Sequence, residues 1–184
     1  MFGRRQKKVG PDEPRVIADP VRARERTMNR AGRLLAAKPR SIRELRERLL
    51  EKQWTNAEIV DDVIEKLKGY KYLDDDQYAR ETALSKLRQR PQGKRRLQQT
   101  MSQKKLDKDT VESAINHALE VLPETALISL AISKRLRLKG KPETREDTKK
   151  FIDHLLRQGF GYDLIREKMS EISAGTFDDG IESV

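Results

Sequence analysis

The stretch PRSIRELRERLLEKQWTNAEIVDDVIEKL, from Pro39 to Leu67, decides the fold. Its apolar frame is Leu45, Leu49, Trp54, Ile59, Val63 and Leu67. The steps along it are four, five, five, four and four residues, the spacing of two amphipathic helices joined by a tight turn. Shifted by 52 residues, the frame begins at Pro91 and lands on Leu97, Met101, Leu106, Val111, Ile115 and Leu119. Shifted by 106, it lands on Phe151, Leu155, Phe160, Ile165 and Met169, and only the last position fails, at Ser173 beside Ile172. Three copies without internal gaps mark a repeat.

Working outward, the turn position of each copy carries Thr55, Asp107 or Gly161, all acceptable helix N-caps. Thr55 with Glu58, and Ser41 with Glu44, have the capping-box spacing. A further helical stretch precedes each pair: Met28 to Ala37, Asp76 to Gln89, and Glu124 to Leu138. Asp74-Asp75-Asp76 and Pro123 supply start signals for the last two. The expected fold is therefore all-α, a tandem array of three three-helix repeats, elongated and curved. The repeats are expected at 26–72, 73–121 and 122–172, flanked by a disordered basic segment over 1–25 and an acidic flexible tail over 173–184.

Composition agrees. Of 184 residues, 38% are charged and only 5% aromatic, which favours helices with small cores over sheets or one large core. The net charge of +10 attracts polyanions, nucleic acid or a nucleic-acid complex foremost. With no cysteine, disulfides and thiolate metal sites are excluded and a cytoplasmic setting is expected. The basic start, Met1 to Gly10, is followed by no apolar run, and no window is long and apolar enough to span a membrane.

Chemistry that would make an enzyme is not legible. His117 and His154 lie in different repeats without metal-ligand spacing, and Ser41 and Ser85 lack a base partner. Asp74-Asp75-Asp76 is better explained by capping and the helix dipole than by a metal. Gly159 and Gly161 flank a helix–helix turn, and no phosphate loop is present. A non-enzymatic protein with no cofactor and no metal is expected.

The cations are more informative. Lys86, Arg88, Arg90, Lys94, Arg95 and Arg96 straddle the bend Pro91-Gln92-Gly93 with no acid among them. Lys134, Arg135, Arg137, Lys139 and Lys141 occupy the equivalent end of the next repeat, and Lys38, Arg40 and Arg43 the same place in the first. A charge run is ordinarily a solvated face, but recurrence at one corner favours a binding surface. The candidate contacts with a partner or with DNA are Arg88, Arg90, Lys94, Arg95, Arg96, Lys134, Arg135 and Arg137. If the six central cations each met a phosphate, log affinity would fall with log salt at a slope of roughly −5. Trp54, Phe151 and Phe160 fall on the repeated frame and are expected in the core. Tyr70, Tyr72 and Tyr78 are expected to pack the joint between repeats one and two.

These residues resemble the RecX family of regulators of the recombinase RecA. The likeness is carried by Tyr72-Leu73-Asp74-Asp75 with Tyr78-Ala79-Arg80, by Arg90-Pro91-Gln92-Gly93-Lys94-Arg95-Arg96-Leu97, and by Arg157-Gln158-Gly159-Phe160. Leu34-Leu35, Pro39-Arg40-Ser41 and Glu44-Leu45 also fit, so that residues 27 to 172 are covered. The chain departs at Gln53, Lys105 and Lys71, where the family tends to have glycine. The resemblance implies a monomer that lies in the groove of a RecA filament on single-stranded DNA. There it would dampen ATP hydrolysis, strand exchange and co-protease activity. The alternative is a helical-repeat nucleic-acid-binding protein that acts without a recombinase.

Overall fold

The structure is a computed structural model that describes residues 15–177. All regular structure among the described residues is helical: α1 (Pro20–Ala37), α2 (Ile42–Leu50), α3 (Ala57–Gly69), α4 (Asp75–Gln89), α5 (Lys94–Ser102), α6 (Lys108–Val121), α7 (Glu124–Lys139), α8 (Arg145–Arg157) and α9 (Tyr162–Ala174). They read as three successive three-helix repeats. No helix among the described residues is long and apolar enough to cross a membrane.

Local chemistry sets the boundaries. Asp19 accepts a hydrogen bond from the Arg22 N–H at 2.9 Å, and Pro20 opens α1 with φ already helical. Order therefore begins before residue 26, because Asp19-Pro20 is a complete start signal; residues 1–14 lie outside the described chain. At the other end α9 continues to Ala174 and closes on Gly175, left-handed at φ 74°. Most of the segment expected as an acidic tail, 178–184, also lies outside the described residues.

Ser41 caps α2, accepting from the Glu44 N–H at 3.2 Å. The expected cap at Thr55 is corrected. Asn56 caps α3, accepting from Ile59 at 3.0 Å, while the buried Thr55 hydroxyl hydrogen-bonds Thr27 at 3.0 Å. Two of the three departures from glycine adopt the left-handed conformation regardless, Lys71 at φ 59° and Lys105 at φ 56°, at a cost of about 1 kcal/mol each.

The chain forms two compact units, the first ending at Tyr78 and the second beginning at Ala79, within α4. The first has a core of Leu45, Leu49, Val60, Val63 and Leu67 against Ala31 and Leu73. The second has a single continuous core that runs through repeats two and three, from Ala79 and Leu97 to Phe160 and Ile165. Composition alone predicts separate small cores, but the large aliphatic and Phe side chains of α7 and α8 merge them. Fully burying each such side chain stabilises by about 1.5–3 kcal/mol.

Two aromatic expectations are corrected. Trp54 is only half-buried and lies outside the core, with the Arg26 guanidinium 4.5 Å from its ring centre. Tyr70 and Tyr72, expected to be packed, are exposed, at 67% and 71%.

One device recurs. The Asp75 carboxylate, in the first turn of α4, accepts from the Ile42 N–H that opens α2, at 2.9 Å. The Glu124 carboxylate, in the first turn of α7, accepts from the Lys94 N–H that opens α5, at 3.0 Å. In each case the first helix of the following repeat satisfies an amide left orphaned at a helix start.

Candidate functional site

The cations expected to form a binding corner lie on three elements of the second unit. Arg88 lies in the last turn of α4 and Arg90 directly follows it, Lys94, Arg95 and Arg96 form the first turn of α5, and Lys134, Arg135 and Arg137 occupy the last turns of α7. All but the half-buried Arg135 are exposed. None of the eight makes a salt bridge with a described residue.

The first turn of α5 is locally unfavourable. Three cations sit at the positive end of the helix dipole, no acid shares the turn, and the cap is Gly93 with no side-chain bond. Glu124 offsets this only at the Lys94 amide. Uncompensated charge of one sign at a helix N-terminus is a fit for an anion.

Backbone contact fixes that turn in place. The Gly93 N–H donates to the Gln158 carbonyl at 3.0 Å, and a Cβ on Gly93 would stand 2.3 Å from the Gly159 oxygen. A Cβ on Gly159, whose φ is 91°, would stand 2.4 Å from the Arg96 nitrogen. The stretches Gln92-Gly93-Lys94-Arg95-Arg96 and Gln158-Gly159-Phe160, separate in the sequence, are thus the two halves of one contact. Phe160 anchors it from the core.

Beside this contact, His154 Nε2 hydrogen-bonds the Gln158 side chain at 2.8 Å. Burial pushes the His154 pKa down, and the positive charges of Arg135, Arg157 and Arg90 push it further. Arg135 of α7, Arg157 of α8 and Arg90, just after α4, therefore all act on one imidazole. Arg135 is partly committed to packing: its guanidinium lies 5.1 Å from the Phe151 ring centre and donates to the Lys150 carbonyl at 3.4 Å. Arg157 is not among the contacts expected from sequence. Its sequence neighbourhood reads as a helix end, and only the fold makes it act with Arg90 and Arg135 on His154.

The equivalent corner of repeat one is different. Lys38 pairs with Glu44 at 3.3 Å, Arg40 pairs with the same carboxylate, and Arg43 pairs with Glu47 at 3.5 Å. Burial pushes the Glu44 pKa up, but the hydrogen bonds and charges of Lys38 and Arg40 outweigh it, and the carboxyl sits below its ordinary value. The basic corner recurs in sequence at all three places, whereas free positive charge does not. Among the described residues no cluster of His, Asp or Glu has the arrangement to hold a metal ion.

Comparison with known proteins agrees with this architecture. Residues 28–67 match the model of the first three-helix domain of RecX, and residues 74–115 that of the second. A regulatory protein RecX from Prosthecochloris aestuarii is 30% identical over 147 residues, covering 80% of this chain and 93% of the relative. One from Finegoldia magna is 31% identical over 134 residues, covering 72% of this chain and 65% of the relative. The crystal structure of RecX from Lactobacillus salivarius superposes with a TM-score of 0.70 at 19% identity, over 83% of this chain and 98% of that one, a likeness of fold. With two family domains in order and a relative matched over nearly its whole length, this chain belongs to the RecX family of regulatory proteins.

Proposed function

We propose that the chain binds a RecA-type recombinase filament on single-stranded DNA, in the cytoplasm and as a monomer. By occupying the filament groove it dampens ATP hydrolysis, strand exchange and co-protease activity. Family membership supports the regulatory role. The observation that carries the partner is the corner formed by Arg90, Lys94, Arg95, Arg96 and Arg157, where exposed cations have no acidic partner among the described residues. Arg88, Lys134 and Arg137 extend it, and Arg135 buttresses it through Phe151. The mechanism is occupancy with no covalent step. Contacts spread over three repeats act at high effective concentration, so each need be only modest.

The test is binding to recombinase-coated against bare single-stranded DNA at about 0.15 M salt, where screening leaves only closely opposed charges effective. The reading expects strong preference for the coated form. Equal binding to both would replace it with a helical-repeat nucleic-acid-binding protein that needs no recombinase.

A further inference from the structure

Repeat one neutralises its exposed arginines with care. Arg24 pairs with Asp62 at 2.8 Å, Arg46 with Asp61 at 2.7 Å, and Arg48 with Glu51 at 3.0 Å. Arg26, Arg30 and Arg33 of α1 are among the exceptions, making no ion pair with any described residue. Their spacing of four and three residues puts them on one face of the helix. All three line a groove of about 300 Å³ whose other walls are Asn29, Leu34 and Trp54.

Two further observations concern what this groove would hold. Among the described residues of the first unit, the buried side-chain nitrogen or oxygen atoms that lack a hydrogen-bond partner are Arg30 Nε and Trp54 Nε1. Both are donors, and both belong to residues that line the groove, so what is missing there is an acceptor. The indole is also held between cations, with Arg26 at 4.5 Å and Lys52 Nζ at 5.7 Å from its ring centre. That arrangement keeps a polar-edged aromatic ring out of the core and fixes the Arg26 guanidinium beside the groove.

We propose that this groove binds the phosphodiester backbone of single-stranded nucleic acid, with Arg26, Arg30 and Arg33 as the phosphate contacts and Trp54 as the residue that positions Arg26. Three guanidinium groups spread over about 10 Å of helix axis suit a repeating polyanion better than one carboxylate. Leu34 and the indole supply an apolar wall for the sugars, and the groove is large enough for about one nucleotide at a time. The inference deepens the function proposed above by assigning the strand itself to repeat one. Its test uses no recombinase, so that either can fail alone.

Trp54 is the sole tryptophan of the chain, so intrinsic fluorescence reports on the groove directly. The full-length protein is titrated with an oligothymidylate at low salt while Trp54 emission and the anisotropy of the labelled oligonucleotide are followed together. The two signals should saturate in parallel. The exposed Arg33→Glu change should weaken the Trp54-reported binding about tenfold and lower the salt slope by about 0.7 for each phosphate no longer neutralised. Arg33→Lys should retain most of the affinity, and circular dichroism establishes that both variants are folded. Anisotropy that saturates with no change in Trp54 emission would overturn the proposal, because the strand then binds elsewhere. So would an equal response to polyglutamate at the same charge concentration, which would assign the groove to an acidic protein segment. Unaltered binding by folded Arg33→Glu would overturn it as well.

Discussion

Gly93 and Gly159 meet backbone against backbone, with the site for a Cβ on either already filled by the other's strand of chain. Gly159 needs glycine twice over, because its φ of 91° is also outside the range of ordinary side chains. Gly161, two residues on, has open space around its Cβ position and a φ of −71°. Gly93→Ala and Gly159→Ala should each destabilise the second unit by about 2–3 kcal/mol. Gly161→Ala should stay within about 1 kcal/mol of the parent. Urea unfolding followed by circular dichroism measures all three, and equal effects at the three glycines would refute the contact.

The carboxylate that closes a neighbouring helix start predicts a second result. Asp75→Ala removes the acceptor of the Ile42 amide, and Glu124→Ala that of the Lys94 amide. Each should cost about 1 kcal/mol, as losing a helix cap does. Amide hydrogen exchange should accelerate locally, at Ile42 in the first variant and at Lys94 in the second. Unchanged exchange at both amides would show that these bonds contribute nothing to closing the helices.

Glu44 gives repeat one a pH dependence. Its carboxyl titrates below the ordinary 4.5 in the folded chain, where Lys38 and Arg40 hold the ionised form. That stabilisation is present above pH 4.5 and is lost as pH falls through the lower folded value. Glu44→Gln should lower stability at neutral pH and remove this part of the acid-induced loss. A variant with the parent's full acid sensitivity would assign that loss to other carboxylates.

The fold was legible because a repeat frame depends only on local spacing, and the apolar positions recur whether or not their partners are known. Trp54 shows where this fails. It stands on the frame, yet Arg26 on α1 and Lys52 hold its ring at the surface, and α1 carries no copy of the frame to announce that. The basic corner was legible as a run of cations but not as a site. Glu44 and Glu47 cancel it in repeat one, while in repeats two and three nothing described does. The meeting of Gly93 with Gly159, and the combined effect of Arg90, Arg135 and Arg157 on His154, join residues far apart in the chain and depend on packing alone.

His154 offers a reporter for the corner. Burial and then Arg135, Arg157 and Arg90 hold its pKa below the ordinary 6.5. A polyanion seated there neutralises the arginines without altering the burial, so the His154 pKa should rise part of the way on binding. Without ligand, the unfolded chain takes up this proton first, and stability should decline as pH drops below 6.5. An NMR titration of the imidazole with and without saturating inorganic polyphosphate measures the first effect. No movement of the pKa would place the anion away from the corner.

The central claim is that an unpaired basic corner seats this regulator on a recombinase filament. Its most direct test is DNA-dependent ATP hydrolysis by a RecA-type recombinase, measured against added protein over a salt series. The parent chain should suppress hydrolysis less and less as salt rises. The doubly charge-reversed variant, Arg95→Glu with Arg96→Glu, should need at least about tenfold more protein while remaining folded. A folded double variant as potent as the parent, or a parent with no effect at any ratio, would contradict the account.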